Sequence, residues 1–350
     1  MKLLFEDCVR IDKLLYFICR DLNIFCSIDI VSGNITVIDS LPEGSVNSWR
    51  LGAKIINLDN YLYFAPMCAD KIWRYDLTMG EWKGYKRKSL DNWTEHKEMF
   101  QAIVYKDKIY FIGSYYPAII IMDTKTEEIK YVTSPYENRI ELSEERQDCW
   151  FRTDYVIKND LLYMASCVDN TIFCFNMDTY DYKFIKVGDD SYTYSGIAVD
   201  GDIFYLTPRK SGPIVVWDGN KVVQKIELMT SNPNSNIGLG GAISLEEKIV
   251  FFACFSNNSF ELNKSSREIK KINKQYLFYK KIDDVAVVSL DDNGILVISL
   301  LDKIYEHKVE LSDSIVGQHM KKIMLERGET MNEIIEEISL MTLGCFINML

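Results

Sequence analysis

Histidine is scarce in this chain: His96, His307 and His319 are the three among 350 residues. No two of them stand at a ligand spacing, so no metal centre is expected. Gly-x-Ser-x-Gly does not occur, and no Ser or Cys is tied to a His by position, which leaves nucleophilic catalysis without support. No stretch approaches the roughly 18 uncharged apolar residues of a membrane span. The amino-terminal Met-Lys-Leu-Leu-Phe-Glu-Asp-Cys places acids where a signal peptide would carry its apolar run. Cys-x-x-Cys is absent and the nine cysteines are an odd number. Cys19, Cys26, Cys167, Cys174 and Cys254 fall in or beside predicted strands, which suits buried thiols in a reducing cytoplasm better than a disulfide framework. A basic excess is missing too. Forty Lys and Arg stand against 51 Asp and Glu, a net charge of −11, so a general nucleic-acid binder is not expected. The basic cluster Lys83, Lys86, Arg87 and Lys88 reads as part of a solvated connection after Trp82.

What is present is a repeat. From Tyr110 to Asp123 is a step of 13, and the same step joins Tyr16 to Asp29, Tyr63 to Asp76, Tyr163 to Asn176 and Tyr205 to Asp218. Val250 to Asn263 and Ala286 to Ser299 continue it in weaker form. Six residues after the polar position stands Ile35, Trp82, Ile129, Tyr182, Ile269 or Tyr305, with Val223 one residue earlier in the fifth copy. The copies follow one another at steps of 47, 47, 53, 42, 45 and 36 residues, the range of propeller blades and of some helical arrays. Ile109-Tyr-Phe-Ile and Ile119-Ile-Ile-Met decide between these, because they are short β-branched and aromatic runs of strand length. Asp29 to Gly33, Asp76 to Gly80 and Asp123 to Thr126 read as hairpin turns. Each copy is therefore four antiparallel strands. Seven copies predict an all-β, seven-bladed β-propeller over residues 1–311. The aromatic share of 13% suits rings filling the wedges between blades.

The unit resembles the kelch blade, in which an aromatic strand precedes a strand ending in Asp, then Thr, then Trp. The match covers about residues 3 to 310 and is best at Tyr63, Asp76 and Trp82. The kelch Gly-Gly pair is missing, and Gly113 alone stands near that position. The resemblance implies a kelch-like propeller and does not settle function, since propellers host enzymes and scaffolds alike. Ring closure has two readings. Phe5 to Ile11 supplies the first blade with its own first strand, or Met1 to Leu4 pairs with the last blade as a clasp.

Connections between blades are long at Pro42 to Arg50, Gly84 to Glu98 and Ser134 to Gln147, and long loops on a rigid scaffold are where binding tends to sit. Each ends in large side chains before the next blade: Trp49-Arg50, Phe100-Gln101 and Trp150-Phe-Arg152, with Tyr192-Thr-Tyr194 in the fourth. Propeller geometry puts these on the same face as the loops between second and third strands, which add Tyr115, Tyr116, Arg209 and Lys210. The candidate binding residues are thus Trp49, Arg50, Tyr115, Tyr116, Trp150, Arg152, Tyr194 and Arg209, types that dominate binding hot spots. The competing reading has Trp49 and Trp150 plugging gaps between blades and the arginines paired with nearby acids.

Gly238-Leu-Gly-Gly241 precedes a strand rather than opening a helix, so a close-packed first strand near the axis explains it better than a phosphate cradle. Asp291-Asp-Asn-Gly294 resembles the start of a calcium loop in composition only. Residues 312–350 lose the strand pattern and read as a helical tail, two helices parted by Gly328. In the second, Thr330 and Glu333 have capping-box spacing, and Met331, Ile334, Ile335, Ile338 and Met341 form one stripe. That stripe packs on the propeller or docks to another chain.

The expectation is a cytoplasmic, non-catalytic scaffold without cofactor, binding a protein or peptide through its aromatic and arginine face, with the tail as a second contact and no nucleic-acid or membrane partner. The rival is an enzyme or binding protein for a carbohydrate or small anionic ligand at the channel mouth. There Arg50, Arg152 and Arg209 would hold charge and acids from separate blades would move protons.

Overall fold

The computed structural model describes residues 1–43, 50–90, 98–137, 139–146, 148–210, 212–228, 238–253 and 256–327. Its seven four-stranded antiparallel sheets make a seven-bladed β-propeller. By internal contacts the chain forms two compact units, Met1–Lys88 with Ile282–Leu350, and Ser89–Lys281.

Blade one is β1 (Cys8–Ile11), β2 (Leu14–Ile18), β3 (Ile24–Asp29) and β4 (Ile35–Ser40), and blade two is β5 (Gly52–Leu58), β6 (Tyr61–Pro66), β7 (Lys71–Asp76) and β8 (Glu81–Lys86). The second unit begins with β9 (Gln101–Tyr105), β10 (Lys108–Ile112), β11 (Ile119–Asp123) and β12 (Ile129–Val132). After α1 (Ile140–Arg146) come β13 (Val156–Lys158), β14 (Leu161–Ala165), β15 (Thr171–Asn176) and β16 (Tyr182–Lys186). Blade five is β17 (Tyr194–Asp200), β18 (Ile203–Pro208), β19 (Ile214–Trp217) and β20 (Val222–Ile226). Blade six is β21 (Gly241–Ser244), β22 (Lys248–Phe252), β23 (Ser259–Asn263) and β24 (Ile269–Ile272). Blade seven is β25 (Tyr276–Lys281), β26 (Val287–Asp291), β27 (Ile295–Ser299) and β28 (Ile304–Lys308), and α2 (Asp313–Arg327) follows.

The step of 13 is a register. In blade three Lys108 pairs with Asp123, so Tyr110 is the third residue of its strand and Asp123 ends the partner strand. Leu14 with Asp29, Tyr61 with Asp76, Leu161 with Asn176 and Lys248 with Asn263 repeat it. The polar side chain then closes the next turn. Asp123 Oδ1 accepts the N–H groups of Lys125 and Thr126, both at 2.9 Å, and Asn176 does the same for Asp178 and Thr179. Blade seven departs from this. Val287 pairs with Ser299, which places Ala286 before β26 rather than at the aromatic position. Its β26–β27 turn is tight, with Asp291 Oδ1 accepting from Asn293 and Ile295 at 2.9 and 2.8 Å. That acidic run is a turn device, and the seventh copy is offset by three residues.

Cores fill the wedges between neighbouring sheets. In the first unit Trp82 packs on Tyr75 and Phe64 with ring centroids 4.9 and 5.2 Å apart, and its Nε1 donates to Asp39 at 3.0 Å. In the second unit Tyr110 and Phe175 bridge blades three and four, and the Tyr110 hydroxyl donates to the Met177 carbonyl at 2.5 Å. The basic cluster is not all in a connection: Lys83 and Lys86 lie on β8, and Arg87 is buried with its guanidinium on the Ala69 carbonyl. A connection starting at Gly84 thus gives way to a strand that runs on to Lys86.

Both proposed closures occur together in the first unit. β1 is the first blade's own first strand, while Lys2 bridges to Glu310 in antiparallel fashion. Leu3 N–H donates to Val309 O and Leu311 N–H to Met1 O, each at 2.9 Å. The first tail helix is α2, with Val316, Met320 and Ile323 buried. Cys254, Trp49 and the second tail helix lie outside the described residues.

Candidate functional site

One backbone device recurs at the start of five blades, and it explains several of the large residues the sequence places there. In the second unit Trp150 N–H donates to Ser114 O in the loop after β10, and Trp150 O accepts from Cys167 in the loop after β14, both at 2.9 Å. Tyr194 N–H donates to Ser166 O at 2.8 Å, Leu239 to Pro208 O at 3.2 Å and Tyr276 to Ala253 O at 2.9 Å. In the first unit Arg50 occupies the equivalent position, between Arg20 O and Cys68 N–H at 3.0 Å each. These residues stitch one blade's loop to the next, which satisfies buried backbone groups that belong to no ladder.

Trp150 and Tyr194 are both 0% exposed. The Trp150 indole stands edge-on to Tyr136 at 4.9 Å and its Nε1 donates to Arg139 O at 2.9 Å. The Tyr194 hydroxyl donates to Val187 O at 2.7 Å. Neither offers a side chain to a partner, and the gap-filling reading of Trp150 is the one the packing supports. Tyr116 is buried as well. Arg50, in the first unit, is half-buried, with its guanidinium 2.7 Å from Glu6. The long connection before blade four is folded down rather than free: α1 sits in it, and Arg139 is clamped by Asp169 at 2.7 Å and lies 4.0 Å over the Phe184 ring. Burial works against the Asp169 charge, but Arg139 and the Ser166 and Thr171 hydroxyls more than offset it and hold the carboxyl below its usual range.

Tyr115 and Arg209 are brought together. Arg209 grips Asp148 with two hydrogen bonds, Nε to Oδ2 at 2.8 Å and a terminal nitrogen to Oδ1 at 2.9 Å. Burial disfavours the Arg209 charge, yet the Asp148 carboxylate outweighs it and pushes the guanidinium above its ordinary value. Tyr115 shares the electrostatic surroundings of Asp148, Cys149, Glu98 and Arg209. Its hydroxyl is raised, first by burial and then by the negative groups, with Arg209 opposing. The ring stands edge-on to Phe100 at 6.1 Å, and the backbone beneath is pinned where Ser114 and Tyr115 N–H groups share the Glu98 carbonyl at 3.0 Å. Cys149 and Cys167 are buried beside this pair, and burial, followed by the neighbouring Cys149, raises the Cys167 thiol, with Arg209 opposing. Arg152 is half-buried two residues beyond Trp150. Glu98, the Asp148–Cys149 pair and Cys167 carry no sequence signal, because the three segments lie apart in the chain and meet only through the fold. Among the described residues no group of three or more His, Cys, Asp or Glu could hold a metal ion.

The polar chemistry deeper in the second unit is structural. Asp154 Oδ2 accepts the Ala242 N–H at 2.6 Å. A Cβ at Gly196 would lie 2.5 Å from that oxygen and one at Gly241 would lie 2.4 Å from it. Gly241 is thus the close-packed first-strand glycine expected of the Gly238–Gly241 run.

No family model matches this chain, and no curated protein does. Solved structures do resemble it. Virginiamycin B lyase from Staphylococcus aureus is 14% identical, with a TM-score of 0.60 over 87% of this chain and 96% of that one. BamB from Moraxella catarrhalis is 13% identical, with 0.52 over 85% and 86%. The RRP9 WD40 repeats are 9% identical, with 0.53 over 89% and 90%. At such identities the likeness is one of fold alone, shared by a lyase and by WD40 repeats, and the kelch resemblance rests on its own residues.

Proposed function

We propose that this chain is a non-catalytic, kelch-like propeller scaffold that binds a protein or peptide through the loop face of its second unit, at Tyr115, Arg152 and Arg209. The observation that carries this is the fixed placement of Tyr115, a half-exposed ring set on a pinned backbone against Phe100 and the Arg209–Asp148 pair. A rigid aromatic beside the Arg209 guanidinium loses little conformational entropy on binding, which is the character of an interface anchor. The cluster's strongest ionic groups, Arg209 and Asp148, are engaged with one another, and the Cys167 thiol is held protonated by burial. That is poor provision for acid–base or nucleophilic work. Trp150 and Tyr194 serve this site as its foundation. A reducing cytoplasm fits the seven free cysteines among the described residues.

Affinity capture from native cytosol, wild type against Tyr115→Ala/Arg152→Ala, tests the reading. The expected result is a protein bound by the wild type and weakened about thirty-fold or more in the double variant, the scale of a hot-spot truncation of ~2 kcal/mol, with the melting temperature unchanged. Equal capture by both overturns the placement, and capture by neither argues for a small-molecule ligand.

A further inference from the structure

In the second unit β24 ends the sheet of blade six and pairs on one side with β23. Along its other side the backbone groups stand outside the ladder, apart from Ile272 O, which accepts from Lys274 N–H at 2.9 Å. Such an edge is a template for a further strand. Charge sets this edge apart. Positions 264–274 carry five cations and one acid in a chain of net charge −11. Lys264 is tied to Asp200 at 2.8 Å, and Arg267 donates to the Tyr205 hydroxyl at 2.7 Å. Lys270, Lys271 and Lys274 are exposed, and among the described residues no carboxylate pairs with them. Glu261 stands opposite Lys270 in the ladder, but Lys248 holds its carboxylate at 2.5 Å. The strand borders a recess of about 510 Å³ whose lining includes these two lysines. With Lys248 and Glu261 paired, the charges left in that lining are Lys270 and Lys271 against Glu268.

The strand reads Ile-Lys-Lys-Ile. Alternation puts Ile269 with Lys271 on one face and Lys270 with Ile272 on the other. Both isoleucines are half-buried and both lysines exposed. Residues opposite one another across a ladder share a face, so a strand laid along this edge meets apolar, cation, cation, apolar in either direction. Its complement is apolar-acidic-acidic-apolar, with each acid opposite a lysine and each apolar side chain against an isoleucine. A nucleic acid offers neither strand pairing nor apolar side chains at that spacing, and the net charge of the chain works against it. We propose that the outer edge of β24 binds a peptide segment of another protein that reads apolar-acidic-acidic-apolar, adding it to blade six as a fifth strand. The contact uses none of the residues of the loop face at Tyr115.

The test uses the full chain and the fluorescein-labelled peptide Ser-Val-Glu-Glu-Val-Ser in polarisation titrations at low salt. Its control is Ser-Glu-Val-Val-Glu-Ser, equal in composition and charge. The first peptide should bind about tenfold more tightly than the control, the scale of a few cross-strand pairs. Lys270→Glu/Lys271→Glu should weaken the first peptide about tenfold and gain affinity for Ser-Val-Lys-Lys-Val-Ser, which shows that the reversed edge still folds. In deuterium exchange the first peptide should slow the β24 amides, a protection that ionic contact with lysine side chains alone would not give. The proposal is overturned if neither acidic peptide binds, or if both bind equally, which leaves an unselective basic surface. It is also overturned if charge reversal leaves the affinity unchanged, if the β24 amides exchange at their free rate in the complex, or if oligothymidylate displaces the peptide, which would make the edge a nucleic-acid contact.

Discussion

Whether a residue near the blade entries faces a partner or the core is decided by packing that sequence position does not encode. The sequence identifies Arg50, Trp150 and Tyr194 as a recurring set, and they do share one place in the fold, where a backbone N–H reaches the preceding blade's loop. It does not say that Trp150 and Tyr194 point inward, because strand-end side chains turn on local backbone geometry. Nor does it reveal that Arg209 is tied to Asp148, 61 residues away. The glycines were more legible, since a glycine at the start of an inner strand implies close approach. Gly196 makes this testable. A Cβ there meets Asp154 Oδ2 at 2.5 Å, the Gly241 Cα at 2.6 Å and Thr207 Oγ1 at 2.9 Å. One of those contacts is backbone and cannot rotate away. Gly196→Ala should therefore lower stability by about 1–3 kcal/mol in urea unfolding, the cost of overpacking a filled site. Adding Asp154→Ala should not rescue it, because the Gly241 contact persists.

At the scale of the element, the hairpin turn after each third strand is where the repeat was most readable and where its chemistry is most uniform. Asp29, Asp76, Asp123, Asn176, Asp218 and Asn263 each accept two turn amides. Ser299 ends the seventh hairpin with a side chain too short to do so in the same way, and there the spacing misled by three residues. In Asp29, Asp123 and Asp218 the turn amides lower the carboxyl pKa. A carboxyl lowered on folding stabilises fully above its unfolded value of about 3.9 and loses that contribution as pH falls through the lower folded value. Stability should thus be flat near neutrality and decline below about pH 4. Asn176 and Asn263 show that an amide oxygen closes the same turn. Asp123→Asn should accordingly keep the neutral-pH melting temperature and shallow the acid decline, whereas Asp123→Ala should lower the melting temperature at every pH. Thermal scans between acid and neutral pH separate the two, and equal melting by Asp123→Ala and wild type at neutrality would remove the turn from the account.

For the whole molecule the question is how the two ends of the chain hold the repeat. The sequence offered two closures and the first unit uses both, because they satisfy different groups. β1 completes the first sheet, and Met1 to Leu3 covers backbone just beyond β28 that would otherwise be an open edge. The Met1 amine adds contacts to Leu311 O at 2.6 Å and to Asp313 at 3.3 Å, so the same few residues also hold the start of α2. Leu3 is wholly buried. Repeat architectures depend on capped ends, since a terminal repeat has a neighbour on one side only. A chain starting at Phe5 should keep its sheets and lose protection locally. Amides of β28 and the first turn of α2 should exchange with deuterium faster, by about tenfold for each ~1.4 kcal/mol of lost closure. Amides of β10 and β11, paired within a complete sheet of the second unit, should exchange at the wild-type rate. Faster exchange spread evenly over both units would mean that the amino-terminal residues support the fold as a whole, and unchanged exchange in β28 would mean that the clasp holds nothing.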